Sequence, residues 1–101
     1  MTSMLPIVGQ TPEGNLVVSG VYKFFETHGL PLDVLFALLS ERNMMPSWID
    51  FYDEAKRAGM KHDRILSKLD PALVDAYGPK FRDEIFNRLN NVYQQKGQAH
   101  G

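Results

Sequence analysis

The sequence predicts an all-α fold, a single small domain of five or six short helices, on three observations. Apolar residues recur at spacings of three and four along most of the chain, the period of helices that bury one face. Glycine and proline fall between those stretches, where helices end and restart. Outside Leu5–Val8, no segment alternates apolar and polar residues as a half-buried strand does. With 44% apolar residues among 101, the chain has the material for one packed core.

Residues 1–14 contain two prolines and two glycines and read as a flexible N-terminal arm; residues 15–95 form the helical domain, and 96–101 a frayed polar tail. Thr11-Pro12 offers a cap and a first-turn proline for the first helix, and Asn15 is the other candidate cap. Val17, Val21, Phe24 and Phe25 then form a stripe that Gly29 ends. Pro31 opens a second helix with a wide apolar face of Leu32, Leu35, Phe36, Leu38 and Leu39. Asn43 to Pro46 breaks it. Ser47 and Asp50 have the spacing of a capping box for the third helix, which Gly59 stops. A short fourth helix spans about 61–69, Asp70-Pro71 restarts the chain as a brief piece over 72–77, and Gly78-Pro79 punctuates it. The last helix, about 80–95, carries Phe81, Ile85, Leu89 and Val92 with Phe86 and Tyr93 beside them.

Composition narrows the function. There is no cysteine, which removes disulfides, thiolate metal sites and cysteine nucleophiles. No apolar run approaches the roughly 18 residues of a membrane span, and no basic residue precedes the short apolar patch near the start. A cytoplasmic protein without membrane contact is expected. His28, His62 and His100 lack metal-ligand spacing. No glycine-rich phosphate loop or nucleophile elbow is present. Of Asp50, Asp53 and Glu54, the first is better read as the capping-box acid and the other two as acids in the N-terminal half of a helix than as an acid–base pair. The expectation is a non-enzymatic protein with no cofactor and no metal.

Charge is unevenly distributed. Residues 1–55 hold seven acids against Lys23 and Arg42, whereas 56–68 hold Lys56, Arg57, Lys61, Arg64 and Lys68 against Asp63 alone. Such a basic focus attracts polyanions beyond what the net charge of −1 suggests. Pairing of that segment with the acidic half of its own chain is the competing reading.

Counted from Phe51, a small residue stands fifth (Ala55), glycine ninth (Gly59) and apolar residues tenth (Met60) and fifteenth (Ile65). This resembles the helix-turn-helix of phage and bacterial repressors. The small residue allows close helix approach and the glycine allows a left-handed turn. Glu54 in fourth place and Lys68 in eighteenth depart from the pattern, although Leu69 adjoins the latter. The resemblance implies a helix-turn-helix-like centre at about residues 47–69 that binds duplex DNA and regulates transcription. Its exposed face would comprise Lys56, Arg57, Lys61, His62, Arg64, Ser67 and Lys68, with Arg64 reading a guanine edge and the lysines contacting phosphates.

A second stretch, VYKFFETHGLPLDVLFALLS from Val21 to Ser40, resembles the helix pair of late-transcription coactivators of large tailed phages. That resemblance implies an adaptor that contacts RNA polymerase or another protein. Phe25 stands where that family tends to have cysteine, and the ending QQKGQAHG lacks an acidic apolar clamp-binding tail. The partner-binding candidates are Glu26, Asp33, Glu41 and the loop residues Met44 and Met45, whose flexible side chains suit adaptable surfaces. A small phage virion or packaging component is a further alternative. The breadth of the last helix's apolar face also suggests a homodimer through it, with full burial within the monomer equally consistent.

Overall fold

The computed structural model describes residues 5–99, with side chains as far as Gln95. In chain order it contains strands β1 (Ile7–Gln10) and β2 (Leu16–Val18), helices α1 (Val21–His28) and α2 (Leu32–Glu41), strand β3 (Met44–Pro46), and helices α3 (Trp48–Arg57), α4 (His62–Tyr77) and α5 (Pro79–Ala99). The fold is mostly helical, but it is not all-α. The all-α expectation is corrected by a three-stranded mixed sheet in the order β1-β2-β3.

β1 and β2 form an antiparallel hairpin, with Ile7 opposite Val18 and Gln10 opposite Leu16. Thr11-Pro12 does not start a helix. It enters the hairpin turn, where the Gly14 N–H donates to the Thr11 carbonyl (2.9 Å) and the Asn15 N–H donates to Thr11 Oγ1 (3.0 Å). Proline second and glycine fourth suit such a turn. Residues 7–14 of the expected arm are therefore a strand and a turn, while 1–4 lie outside the described residues. β3 lies parallel to β2 after a crossover through α1 and α2, with Leu16 opposite Met44 and Val18 opposite Pro46. Pro46, which cannot donate to a ladder, sits on an edge strand.

The sheet shortens the first helix, which begins at Val21 rather than near residue 15. Gly20 precedes it at φ 76°, a left-handed position that favours glycine. Its N–H donates to Asp50 Oδ2 (2.9 Å). Asp50 therefore ties the start of α1 to the first turn of α3 and does not close a capping box, and Ser47 caps α3 without a side-chain hydrogen bond. Replacing Asp50 with alanine leaves that amide without its acceptor. The expected cost is about 1–3 kcal/mol, read from the urea midpoint.

α4 runs unbroken through Asp70-Pro71, so the expected short helix and restart merge into one element. Pro71 is exposed. The Ser67 carbonyl it leaves without a helical donor belongs to an exposed residue, where solvent is at hand to replace the lost bond. α5 is helical from Pro79 through Ala99, and residues 100–101 lie outside the described residues.

α2 packs on α4 and α4 on α5, around Phe36, Ile65, Leu69, Leu73 and Leu89, all fully buried. Trp48, Phe51, Tyr52 and Ala55 are also buried. α2's apolar face is narrower than expected, because Leu38 is 39% exposed. Much of α5's stripe is satisfied within the chain: Ile85 and Leu89 are buried, and Phe81, Phe86 and Val92 pack against the core. Among the described residues no helix is long and apolar enough to cross a membrane.

Tyr77 joins α4 to β3, its hydroxyl donating to the Met44 carbonyl (2.9 Å). Burial pushes its phenol well above the usual 10.0. Tyr22 is raised by burial and by its bond to Glu26, and Tyr52 by burial and by the nearby Tyr93 and Asp53. A raised folded-state value means that the unfolded chain ionises first. The stability these phenols contribute is therefore intact below pH 10.0 and is lost as pH rises beyond it. Tyrosinate absorbance followed against unfolding should show these phenols ionising with loss of structure, and Tyr77→Phe should flatten the alkaline stability curve.

Candidate nucleic-acid interface

α3 ends in a hydrogen-bonded reversal. The Gly59 N–H donates to the Lys56 carbonyl and the Met60 N–H to the Ala55 carbonyl, both at 3.0 Å. This is a Schellman cap, and it needs its left-handed residue, here Gly59 at φ 99°. Met60 then packs partly against the core, and Ala55 and Ile65 are fully buried. Leu69 is buried while Lys68 beside it is exposed, so burial shifts by one residue at the position where the repressor pattern has an apolar residue. Glu54 is half-buried, and its Oε1 has no hydrogen-bond partner among the described residues.

Lys61 begins α4 as its N-cap, in extended backbone and without a side-chain cap bond. Asp63 lies in the first helical turn. Lys61, Arg64 and Lys68 are exposed and follow one another at spacings of three and four, one row along the helix. Ser67 is exposed beside them. Lys68 Nζ lies 5.8 Å from the centre of the Phe25 ring on α1. Arg57 shares a small surface hollow with Tyr22, Lys23, Glu26 and Glu54. The hollow holds two cations and two carboxylates, and Lys23 is the cation it gains from α1. Sequence reasoning missed it because it lies 34 positions before Arg57.

Two members of the expected set behave differently. Lys56 leans towards α5, its Nζ 5.5 Å from the Tyr93 ring centre. His62 leaves the exposed face altogether, at 9% exposure. Its ring stacks on Tyr93 at 4.0 Å and 9°. Nδ1 lies 2.8 Å from the Tyr52 hydroxyl and Nε2 lies 2.8 Å from Asn90 Oδ1. An amide oxygen only accepts, so Nε2 donates to Asn90, and the Tyr52 hydroxyl is the hydrogen-bond partner of Nδ1. His62 is a buried joint between α3, α4 and α5. A signal was available in the sequence: His62, Ile65, Leu69 and Leu73 share one helical stripe.

None of Lys56, Arg57, Lys61, Arg64 and Lys68 forms an ion pair among the described residues, where the recorded pairs are Arg82 with Asp70 and Arg82 with Asp83. Pairing of the basic segment with the acidic half of the chain is not seen there.

The adaptor candidates do not converge on one patch. Glu26 is exposed on α1 and accepts from the Tyr22 hydroxyl (3.1 Å). Asp33 and Glu41 are exposed at opposite ends of α2, about 12 Å apart along its axis. Met44 is half-buried and Met45 is 6% exposed. The expectation of an exposed methionine loop is corrected: both residues belong to β3, and Met45 is part of the core. Compared with protein-family models, curated proteins and solved structures, the chain has no match.

Proposed function

We propose that this chain is a small non-enzymatic regulatory protein that binds duplex DNA through the α3–turn–α4 unit. The observation that carries the reading is the row of Lys61, Arg64 and Lys68, exposed and without a carboxylate partner among the described residues. Cations already neutralised by the protein's own acids gain little from phosphate. Unpaired cations displace the counterions condensed on DNA and gain affinity in proportion to their number. Arg57, in the last turn of α3, adds a cation just before the turn. Arg64 has the planar fork that reads a guanine edge, and it lies within the first turn of α4, where recognition helices make their base contacts. His62 and Met45 have no part in this reading.

Amide-shift mapping by NMR with a mixed-sequence duplex tests it. Shifts should gather at residues 57–68 and spare the hairpin. Shifts concentrated elsewhere, or none, would refute the assignment.

A further inference from the structure

The row Lys61, Arg64 and Lys68 has no carboxylate partner among the described residues, yet one of its cations is held in place. Lys68 Nζ lies 5.8 Å from the centre of the Phe25 ring, inside the roughly 6 Å over which an aromatic face attracts an ammonium group. Lys68 is exposed on α4, whereas Phe25 is half-buried on α1 and packs against the core. The Phe25 ring is braced in turn by Tyr22, whose ring centre lies 5.9 Å away and which is itself buried. Lys61 and Arg64 lie over no aromatic ring among the described residues, where the recorded cation–ring contacts belong to Lys56, Lys68 and Arg82.

A ring and a carboxylate hold a cation in different ways. A carboxylate neutralises the charge and competes with phosphate for it. A ring attracts the ammonium through its quadrupole and carries no net charge, so the positive charge stays available on the side away from the ring. Lysine ends a flexible four-carbon stem, and ordering such a side chain on binding costs affinity. A lysine already seated on a ring has lost part of that freedom before a ligand arrives.

We propose that Phe25 is a positioning residue for DNA binding: its ring seats Lys68 so that the ammonium group meets a duplex phosphate at reduced entropic cost. The inference rests on the DNA reading of α4, and it gives α1 a part in binding without any contact between Phe25 and the nucleic acid. Removing the ring should weaken binding by about three- to tenfold, the range for ordering one flexible side chain. The number of phosphate contacts should not change.

Phe25→Leu keeps an apolar side chain on α1 and removes the ring; Phe25→Tyr keeps both. A double-mutant cycle with Lys68→Ala isolates the pair. It is read by anisotropy of a labelled mixed-sequence duplex at about 50 mM and about 200 mM salt, with a thermal melt of each variant. Phe25→Leu should bind about three- to tenfold more weakly at an unaltered salt slope, whereas Lys68→Ala should lower the slope by about 0.9. In the Lys68→Ala background, Phe25→Leu should change affinity by less than about twofold. In a Lys61→Ala background it should keep its full effect, and Phe25→Tyr alone should bind as the unaltered protein does. A loss that came only from a loosened α1 would persist in the Lys68→Ala background. That persistence, or a loss below about twofold for Phe25→Leu alone, overturns the proposal. An unaltered protein that does not bind the duplex would sink the DNA reading and this inference together; one that binds without coupling between the two positions would sink only the role of Phe25.

Discussion

The triple reversal Lys61→Glu/Arg64→Glu/Lys68→Glu should abolish duplex DNA binding while leaving the protein folded. All three side chains are exposed on one row of α4. Each phosphate contact contributes about 0.9 to the slope of log affinity against log salt. With Arg57 added to the row, the unaltered chain should show a slope of about −3 to −4, and the reversal should leave about −1 or less. Affinity at low salt should fall at least about a hundredfold, because three attractions become three repulsions. Stability should change little, since exposed substitutions of this kind stay near ±0.5 kcal/mol each. Lys68 is the exception, because its charge lies over the Phe25 ring, a contact worth about 0.5–1 kcal/mol at an exposed site. Anisotropy titration of a labelled duplex, with a thermal melt of the same sample, separates lost binding from lost fold.

The largest effect on stability should come from Phe36→Ala. Phe36 is fully buried and meets Trp48 at 5.5 Å, Phe51 at 6.2 Å and Tyr77 at 6.3 Å. It is the side chain through which α2 holds α3 and α4 together. Truncating a buried phenylalanine costs about 3–5 kcal/mol, part for transfer and part for the cavity left behind. A domain of this size holds only about 5–15 kcal/mol in all, so the melting temperature should fall by roughly 15 °C or more. Val34 and Leu38 lie on the same helix at 42% and 39% exposure. Their alanine variants should cost below about 1 kcal/mol each. Comparable losses at all three positions would mean that α2 faces its neighbours differently.

How readable this architecture is from the sequence depended on element length. α2, α3 and α5 span two or more turns, enough for the helical period to show, and their cores fall where that period predicts. The strands hold only three or four residues each. β1 is exposed throughout, so it has no buried face to alternate against. Val17 and Val21 sit at helical spacing by coincidence, one in β2 and the other in α1. The turn itself was signalled by Thr-Pro-Glu-Gly between two apolar pieces. Pro71 misled because a proline weakens a helix without always ending it: α4 continues through residue 71, with Pro71 and Ser67 both exposed.

At the candidate interface the same physics divided the basic segment. Lys61, Arg64 and Lys68 fall on an outward row, whereas His62 begins the inward one. Residue type alone did not separate them; extending the Ile65–Leu69–Leu73 stripe back by one turn does. The contact of Lys68 with Phe25 had no readable sequence signal, because the two residues stand on different helices, α4 and α1.

Fluorescence anisotropy of a labelled mixed-sequence duplex of about 30 base pairs, titrated with the unaltered protein, tests the DNA-binding claim most directly. It requires no knowledge of a preferred site, since phosphate contacts supply non-specific affinity. The expected result is a micromolar dissociation constant at about 50 mM salt that weakens about a hundredfold by about 200 mM. No binding at the lower salt, or binding indifferent to salt, would contradict a phosphate-contacting role for α4.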